Sequence, residues 1–178
     1  YGLQDLIGEK TLNNAFKSYM ENARFRQKAP FTTTTEWYDY MKKATPDSLQ
    51  YYLEDSFKKI TLYSNKVTNT SYKKLAKDKY EVTIEVESSK SYFDGNGKEL
   101  ATGDKPNLLE IAVFDEDAKN KQGMTIKSPL IIEKVWVKPG KSKFTYITKK
   151  LPVKAGIDPY NKMIDRIPDD NIKIAEKL

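Results

Sequence analysis

The apolar residues of this chain change period near Ile60, and that change constrains the fold more tightly than any single motif. Before it, Leu12, Ala15, Phe16, Tyr19, Met20 and Ala23 recur at i, i+3, i+4, i+7, i+8 and i+11, which places them on one face of an α-helix. Trp37, Tyr40, Met41 and Ala44 repeat the pattern, as do Leu49, Leu53, Phe57 and Ile60 with Tyr52 beside them. After it, Tyr80, Val82, Ile84 and Val86 alternate with Glu81, Thr83, Glu85 and Glu87. Period two means a strand with one buried and one wet face.

Punctuation supports the same division. Gly8 separates a short stripe, Leu3, Leu6 and Ile7, from the main one, and Pro30 ends the first helical unit. Thr33 and Glu36 have capping-box spacing. Thr45-Pro46-Asp47 reads as an N-cap, a first-turn proline and a first-turn acid. About three main helices are therefore expected within residues 3–58. Further on, Asp94-Gly95-Asn96-Gly97 is hairpin chemistry, and Leu109, Ile111 and Val113 mark another strand. Leu130–Val137, apolar on both parities, reads as a central strand, which Pro139-Gly140 turns into Phe144–Thr148; the weaker Leu62–Tyr72 reads as an edge strand. Strands in series without intervening helices predict an antiparallel β-sandwich, immunoglobulin-like or similar. The expected class is α+β: a helical region over 1–59, a β-sandwich over 60–154 and a turn-rich strap over 155–178.

The chain has no His and no Cys. Zinc sites draw on Cys, His and carboxylates, and no HExxH helix, Ser-His pair or Cys-His pair can be assembled without them. No GxGxxG or P-loop pattern is present either. No catalytic, cofactor-binding or metal-binding residue is therefore expected in this chain. The net charge of +6 is modest and its charges are interspersed, which predicts a solvated surface and no nucleic-acid groove. No apolar run approaches the roughly 20 residues that cross a bilayer, so no direct membrane insertion is expected. With Tyr1 where an initiator Met would stand, the chain reads as a piece of a longer protein.

Four constellations invite a functional reading, and each has a plainer one. Asp94-Gly-Asn96-Gly-Lys98 has the look of a calcium loop, but Lys98 holds the fifth position and no Glu holds the twelfth, so a hairpin is expected. Asp115, Glu116 and Asp117 are followed at once by Lys119 and Lys121, which suits a solvated loop. Arg24-Phe25-Arg26 at a helix end complements the helix dipole; its functional alternative is recognition of a carboxylate. Trp37, Tyr38 and Tyr40 could stack on a sugar, but Trp37 and Tyr40 at helical spacing suit a core.

Ala155–Asn171, AGIDPYNKMIDRIPDDN, joins Asp-Pro and Pro-Asp turn chemistry to five large apolar residues, Ile157, Tyr160, Met163, Ile164 and Ile167. It suits neither strand nor helix, and is expected to lie as a strap with its apolar residues covered, either near the junction of helices and strands or closing one end of the sandwich. The same stretch resembles the closing segment of bacterial membrane-linked aminopeptidases of the zinc-dependent gluzincin type. In that group an alanyl-aminopeptidase-like catalytic domain is joined to a transporter-permease-like membrane region. Gly8-Glu9, Phe16 and Tyr19 sit at spacing similar to that of the helix following the family's zinc site. ATPDSLQYYLEDSFKKITLY (Ala44–Tyr63) is similar to the junction with the family's β domain, and KYEVTIEV (Lys79–Val86) and PLIIEKVWVKPGK (Pro129–Lys141) to strands of it.

The resemblance covers nearly the whole chain and implies a non-catalytic C-terminal part of a metallopeptidase, positioning domains and shaping the peptide cleft. It implies zinc in the parent's catalytic domain, expected before Tyr1, and none in this part. The implied partners are that domain and the parent's peptide substrate, and the implied location is the extramembrane part of a bacterial membrane-anchored protein. The family's zinc ligands, general base and transition-state Tyr have no counterpart here, so no residue is assigned those roles. The alternative is a free-standing bacterial surface module that binds glycan or peptide.

Overall fold

The fold is that of a computed structural model, which describes residues 1–115, 118–119, 125–126 and 129–178. They form two compact units, Tyr1–Ile60 and Thr61–Leu178, and the class is α+β, as the change of period predicts.

The first unit contains α1 (Gly2–Ile7), α2 (Glu9–Ala23), α3 (Thr34–Ala44) and α4 (Gln50–Phe57), with a 3-10 turn at Asp47–Leu49 leading into α4. Gly8 divides α1 from α2 at φ +87°, a conformation that costs a residue without Cβ little. Thr33 Oγ1 accepts the Glu36 amide at 3.2 Å, as a cap should. Glu36 does not complete the box, because Arg26 holds its carboxylate through two nitrogens at 2.9 Å each. Thr45 was expected to cap α4 and instead closes α3, its hydroxyl donating to the Met41 carbonyl at 2.8 Å. Leu3, Ala15, Tyr38, Met41, Leu49, Tyr52 and Leu53 are buried. The α2 stripe is only half covered: Ala15 is buried, while Phe16 is 39% and Met20 56% exposed.

The second unit takes in β1 (Ile60–Ala76), β2 (Lys79–Phe93), β3 (Glu99–Leu100), β4 (Asn107–Phe114), β5 (Ala118–Lys119), β6 (Thr125–Ile126), β7 (Pro129–Val137), β8 (Gly140–Thr148), β9 (Lys154–Ile157), β10 (Ile172–Ile174) and β11 (Glu176–Lys177). One sheet runs β11-β1-β2, with β3 and β8 pairing with different stretches of β2. The other runs β10-β9-β4-β7, and β5 and β6 form a separate two-stranded ribbon. Val82, Ile84 and Val86 of β2 are fully buried, as are Ile111 and Val113 of β4, with Leu109 nearly so. These two rows make the sandwich core, and Tyr80 at the end of its row is half-buried.

Two strands exchange their expected places. β1 is 17 residues long and lies between β11 and β2, not at an edge. Its buried Thr61, Asn65, Thr70 and Ser71 weakened the apolar signal. β7 was expected to be central and, among the described residues, is the end strand of its sheet, with Ile132 and Trp136 exposed. The centre belongs to β4, which is buried on both faces. The turn at Pro139-Gly140 carries the chain from one sheet to the other, since β7 pairs with β4 and β8 with β2.

The segment expected to be neither strand nor helix begins as strand β9, seated between β4 and β10. Gly156 makes that seat possible. A Cβ there would lie 2.6 Å from the Asn171 carbonyl oxygen and 2.8 Å from Ile172 Cγ1.

Candidate functional site

The constellations singled out in the sequence resolve mostly into scaffolding. Asp94 Oδ1 accepts the amides of Asn96 and Lys98, both at 2.9 Å, and Gly97 stands at φ +80°. This carboxylate closes a hairpin. Asp115 pairs with Lys150 at 3.1 Å; Glu116, Asp117, Lys121 and the side chain of Lys119 lie outside the described residues. Arg26 is committed to Glu36, and their hydrogen bond holds the guanidinium above and the carboxyl below their ordinary ranges. Tyr38 is buried, and its hydroxyl donates to Glu54 at 2.7 Å. Burial and that hydrogen bond raise the phenol's pKa.

Trp37 meets Phe57 nearly edge-on, with centroids 5.0 Å apart at 68°, and lies 6.2 Å from Phe16. Such a cluster offers no flat platform for a sugar ring. It is a half-covered aromatic group, because Phe16 and Phe57 are exposed at its rim. Among the described residues no group of three or more His, Cys, Asp or Glu is placed to hold a metal.

The most elaborate polar construction lies in the C-terminal segment. Asp158 is buried at φ +42°, with Oδ1 accepting the Lys162 amide and Oδ2 the Met163 amide, both at 2.9 Å. Its own amide donates to the Glu110 carbonyl on β4 at 2.8 Å. Lys162 Nζ reaches back to Glu110 Oε1 at 2.7 Å, and the Tyr160 ring lies edge-on to Phe114 at 6.4 Å. The turn thus covers part of the outer face of β4. Burial pushes the Asp158 carboxyl up to about 6, against the two amide donors that favour its charged form; Asp165 and Glu110 add to the rise.

The segment then crosses to the other sheet. Tyr63 and Asp165 form a parallel bridge, and Asp165 Oδ2 accepts the Asn65 amide at 2.8 Å. The chain returns as β10 beside β9 and crosses again as β11 beside β1. This lacing does cover Ile157 and Met163, but Tyr160, Ile164 and Ile167 stay 40%, 67% and 60% exposed, contrary to expectation.

No family model matches this chain, and no curated protein does.

Two open depressions lie on the surface of the described residues. One, of about 590 Å³, lies beside the end of α3 among Asp39, Lys42, Lys43, Gln50 and Glu54. The other, of about 550 Å³, lies over β2 and β8 among Glu85, Glu87, Lys141 and Lys143. Each mixes acids with lysines, so neither presents the single sign of charge that would concentrate an ionic ligand. Sequence reasoning missed the Asp158 clamp and its link to Glu110. Its one local signal was the Asp-Pro pair, read as a turn; the partner on β4 lies far away in sequence.

Proposed function

We propose that this chain is the non-catalytic C-terminal part of a bacterial zinc-dependent aminopeptidase of the gluzincin type. Tyr1–Ile60 would be the helical tail of the catalytic domain and Thr61–Leu178 an accessory sandwich that positions domains and shapes the peptide cleft. The observation that carries the reading is the half-covered aromatic group on the helices. Phe16 and Phe57 are exposed beside Trp37, and Met20 is exposed on α2 with Phe16; an apolar area of this kind suits a face that another domain covers. The chemistry would belong to the partner domain, where zinc would activate water against a peptide carbonyl.

The lack of His and Cys fits a positioning role, and no helix among the described residues is long and apolar enough to cross a membrane. The test is the coding sequence upstream of Tyr1. An HExxH motif followed by a downstream Glu is expected; an upstream domain without it overturns the reading.

The second reading is a free-standing surface module for glycan or peptide. The edge-on aromatic packing argues against a glycan platform. A peptide module keeps one point in its favour, that among the described residues β7 pairs with β4 alone.

A further inference from the structure

Charges that are interspersed along the sequence are gathered by the fold at one end of the sheet that holds β1, β2 and β8. The hairpin from β1 to β2 ends in Lys73-Lys74-Leu75-Ala76-Lys77-Asp78-Lys79, and every residue of that run is exposed. The register brings the end of β8 alongside. Tyr80 pairs with Thr148, so Lys149 and Lys150 follow beside the start of β2, and both are exposed.

Part of this charge is already committed. Lys73 pairs with Glu81 at 2.7 Å and Lys150 with Asp115 at 3.1 Å, while Lys74 lies over the Tyr80 ring, 5.9 Å from its centroid. Lys77, Lys79 and Lys149 make no ion pair among the described residues. Against them the hairpin tip sets one acid, Asp78, so an excess of positive charge remains there.

Apolar side chains stand among these lysines. Leu75 is 44% exposed within the run, and Leu151, just past Lys150, is 46% exposed. The tight turn is made by Lys77 and Asp78, with Asp78 at φ +52°, so it does not require a leucine beside it. The rows of β2 and β4 close over the core without either leucine.

This combination restricts the partner. A nucleic acid strand would need faces on which bases can stack. The Tyr72 and Tyr80 rings are half-buried and packed edge-on to each other at 6.2 Å, and a leucine has no such face. An anionic bilayer surface asks for no fixed geometry. Lysine ammonium groups reach its headgroups on flexible stems, and leucines settle at the boundary between headgroups and acyl chains.

We propose that this end of the sheet, with Leu75 and Leu151 flanked by Lys77, Lys79 and Lys149, is a contact site for an anionic lipid surface. The contact touches the surface without crossing it. It uses only residues of Thr61–Leu178, so it does not depend on the aminopeptidase reading.

Cosedimentation of the full chain with vesicles tests it. Partition onto phosphatidylcholine vesicles containing phosphatidylserine should exceed partition onto phosphatidylcholine alone and should fall as salt is raised. Lys77→Gln combined with Lys149→Gln should weaken it roughly thirtyfold, at about 1 kcal/mol for each lysine near such a surface. Lys141→Gln combined with Lys143→Gln removes the same charge towards the other end of β8. That pair should cost less than about threefold, because screening limits a charge's reach to about 10 Å. Leu75→Asn should weaken binding by on the order of tenfold. Circular dichroism and melting temperature should stay unchanged in all three variants, since each position is exposed.

No partition onto the phosphatidylserine vesicles at low salt overturns the proposal. Equal losses in the two lysine pairs do so as well, since net charge would then be the cause. Binding that ignores Leu75→Asn removes the apolar contact on which the choice of a lipid surface rests. Binding of an oligothymidine without binding of vesicles overturns the choice of partner. None of these results bears on whether an HExxH domain lies upstream, so the two proposals fail separately.

Discussion

The helical unit and the sandwich use their apolar residues in opposite ways. In Tyr1–Ile60 the repeat on α2 is clear, yet Phe16 and Met20 remain exposed, and on α4 Leu53 is buried while Phe57 is exposed. In Thr61–Leu178 the rows of β2 and β4 close completely over Val82, Ile84, Val86, Ile111 and Val113. A helix satisfies its backbone hydrogen bonds within itself, so it can form while its stripe awaits a cover. A strand needs a neighbour for its backbone, and acquiring sheet neighbours helps to enclose its apolar row. An uncovered helical stripe therefore signals a partner more readily than an uncovered core row would.

That contrast can be broken by substitution. The largest effect is expected at Ile84. Ile84→Ala should destabilise the sandwich by about 2–5 kcal/mol, from lost transfer energy plus a cavity. Denaturant unfolding followed by Trp136 emission in a Trp37→Phe background isolates this unit; a cost near zero would show that the β2 row is not core.

Asp158 comes next. Its carboxyl is raised from 3.8 to about 6, so the folded state favours the protonated form more than the unfolded state does. The stability this provides is fully present below the ordinary carboxyl range and is lost as pH rises through about 6. Through this group the sandwich should become more stable by on the order of 1–3 kcal/mol between pH 7 and pH 4. Asp158→Asn should flatten that dependence and, above about pH 6, weaken the turn, because one of the carboxylate's two amide acceptors is lost. An unchanged slope in the variant would reassign the titration.

Gly156→Ala is expected to cost about 1–3 kcal/mol by overpacking, since the new methyl meets backbone at Asn171. A neutral result would mean that β10 moves aside easily, and that the lacing between sheets is loose. The smallest effect is expected on the helices. Met20→Ala should change stability by less than about 0.5 kcal/mol in this chain. In the intact parent the same substitution should weaken attachment of the helices to the covering domain. A large cost in the isolated chain would mean that the stripe is already covered, which removes the main support for the aminopeptidase reading.

Much of the fold was legible because it depends on local pattern. The switch of period at Ile60, the Gly8 break, the Thr33 cap and the Asp94 hairpin are all decided within a few residues, and each is where it was expected. The core face of β2 was legible for the same reason, since alternation of Val82, Ile84 and Val86 with Thr83 and Glu85 assigns the faces unaided. For sites the sequence offered only a chemical restriction: a chain without His or Cys cannot assemble the common catalytic pairs. Thr45 misled because a hydroxyl can serve the end of one helix as well as the start of the next.

The sequence alone determined the class, the order of helices before strands, and which face of β2 looks inward, because these follow from periodicity and nearest-neighbour chemistry. Tertiary structure decided the rank of each strand within its sheet. β1 became interior despite its polar residues, and β7 became an edge despite its apolar ones, because rank depends on which distant segment supplies the next backbone ladder. It also decided that the C-terminal residues lace the two sheets together. Asp158 reaches Glu110, Asp165 reaches Asn65 and Glu176 reaches Ser71 across long stretches of chain, and no local propensity encodes a contact whose partner is that remote.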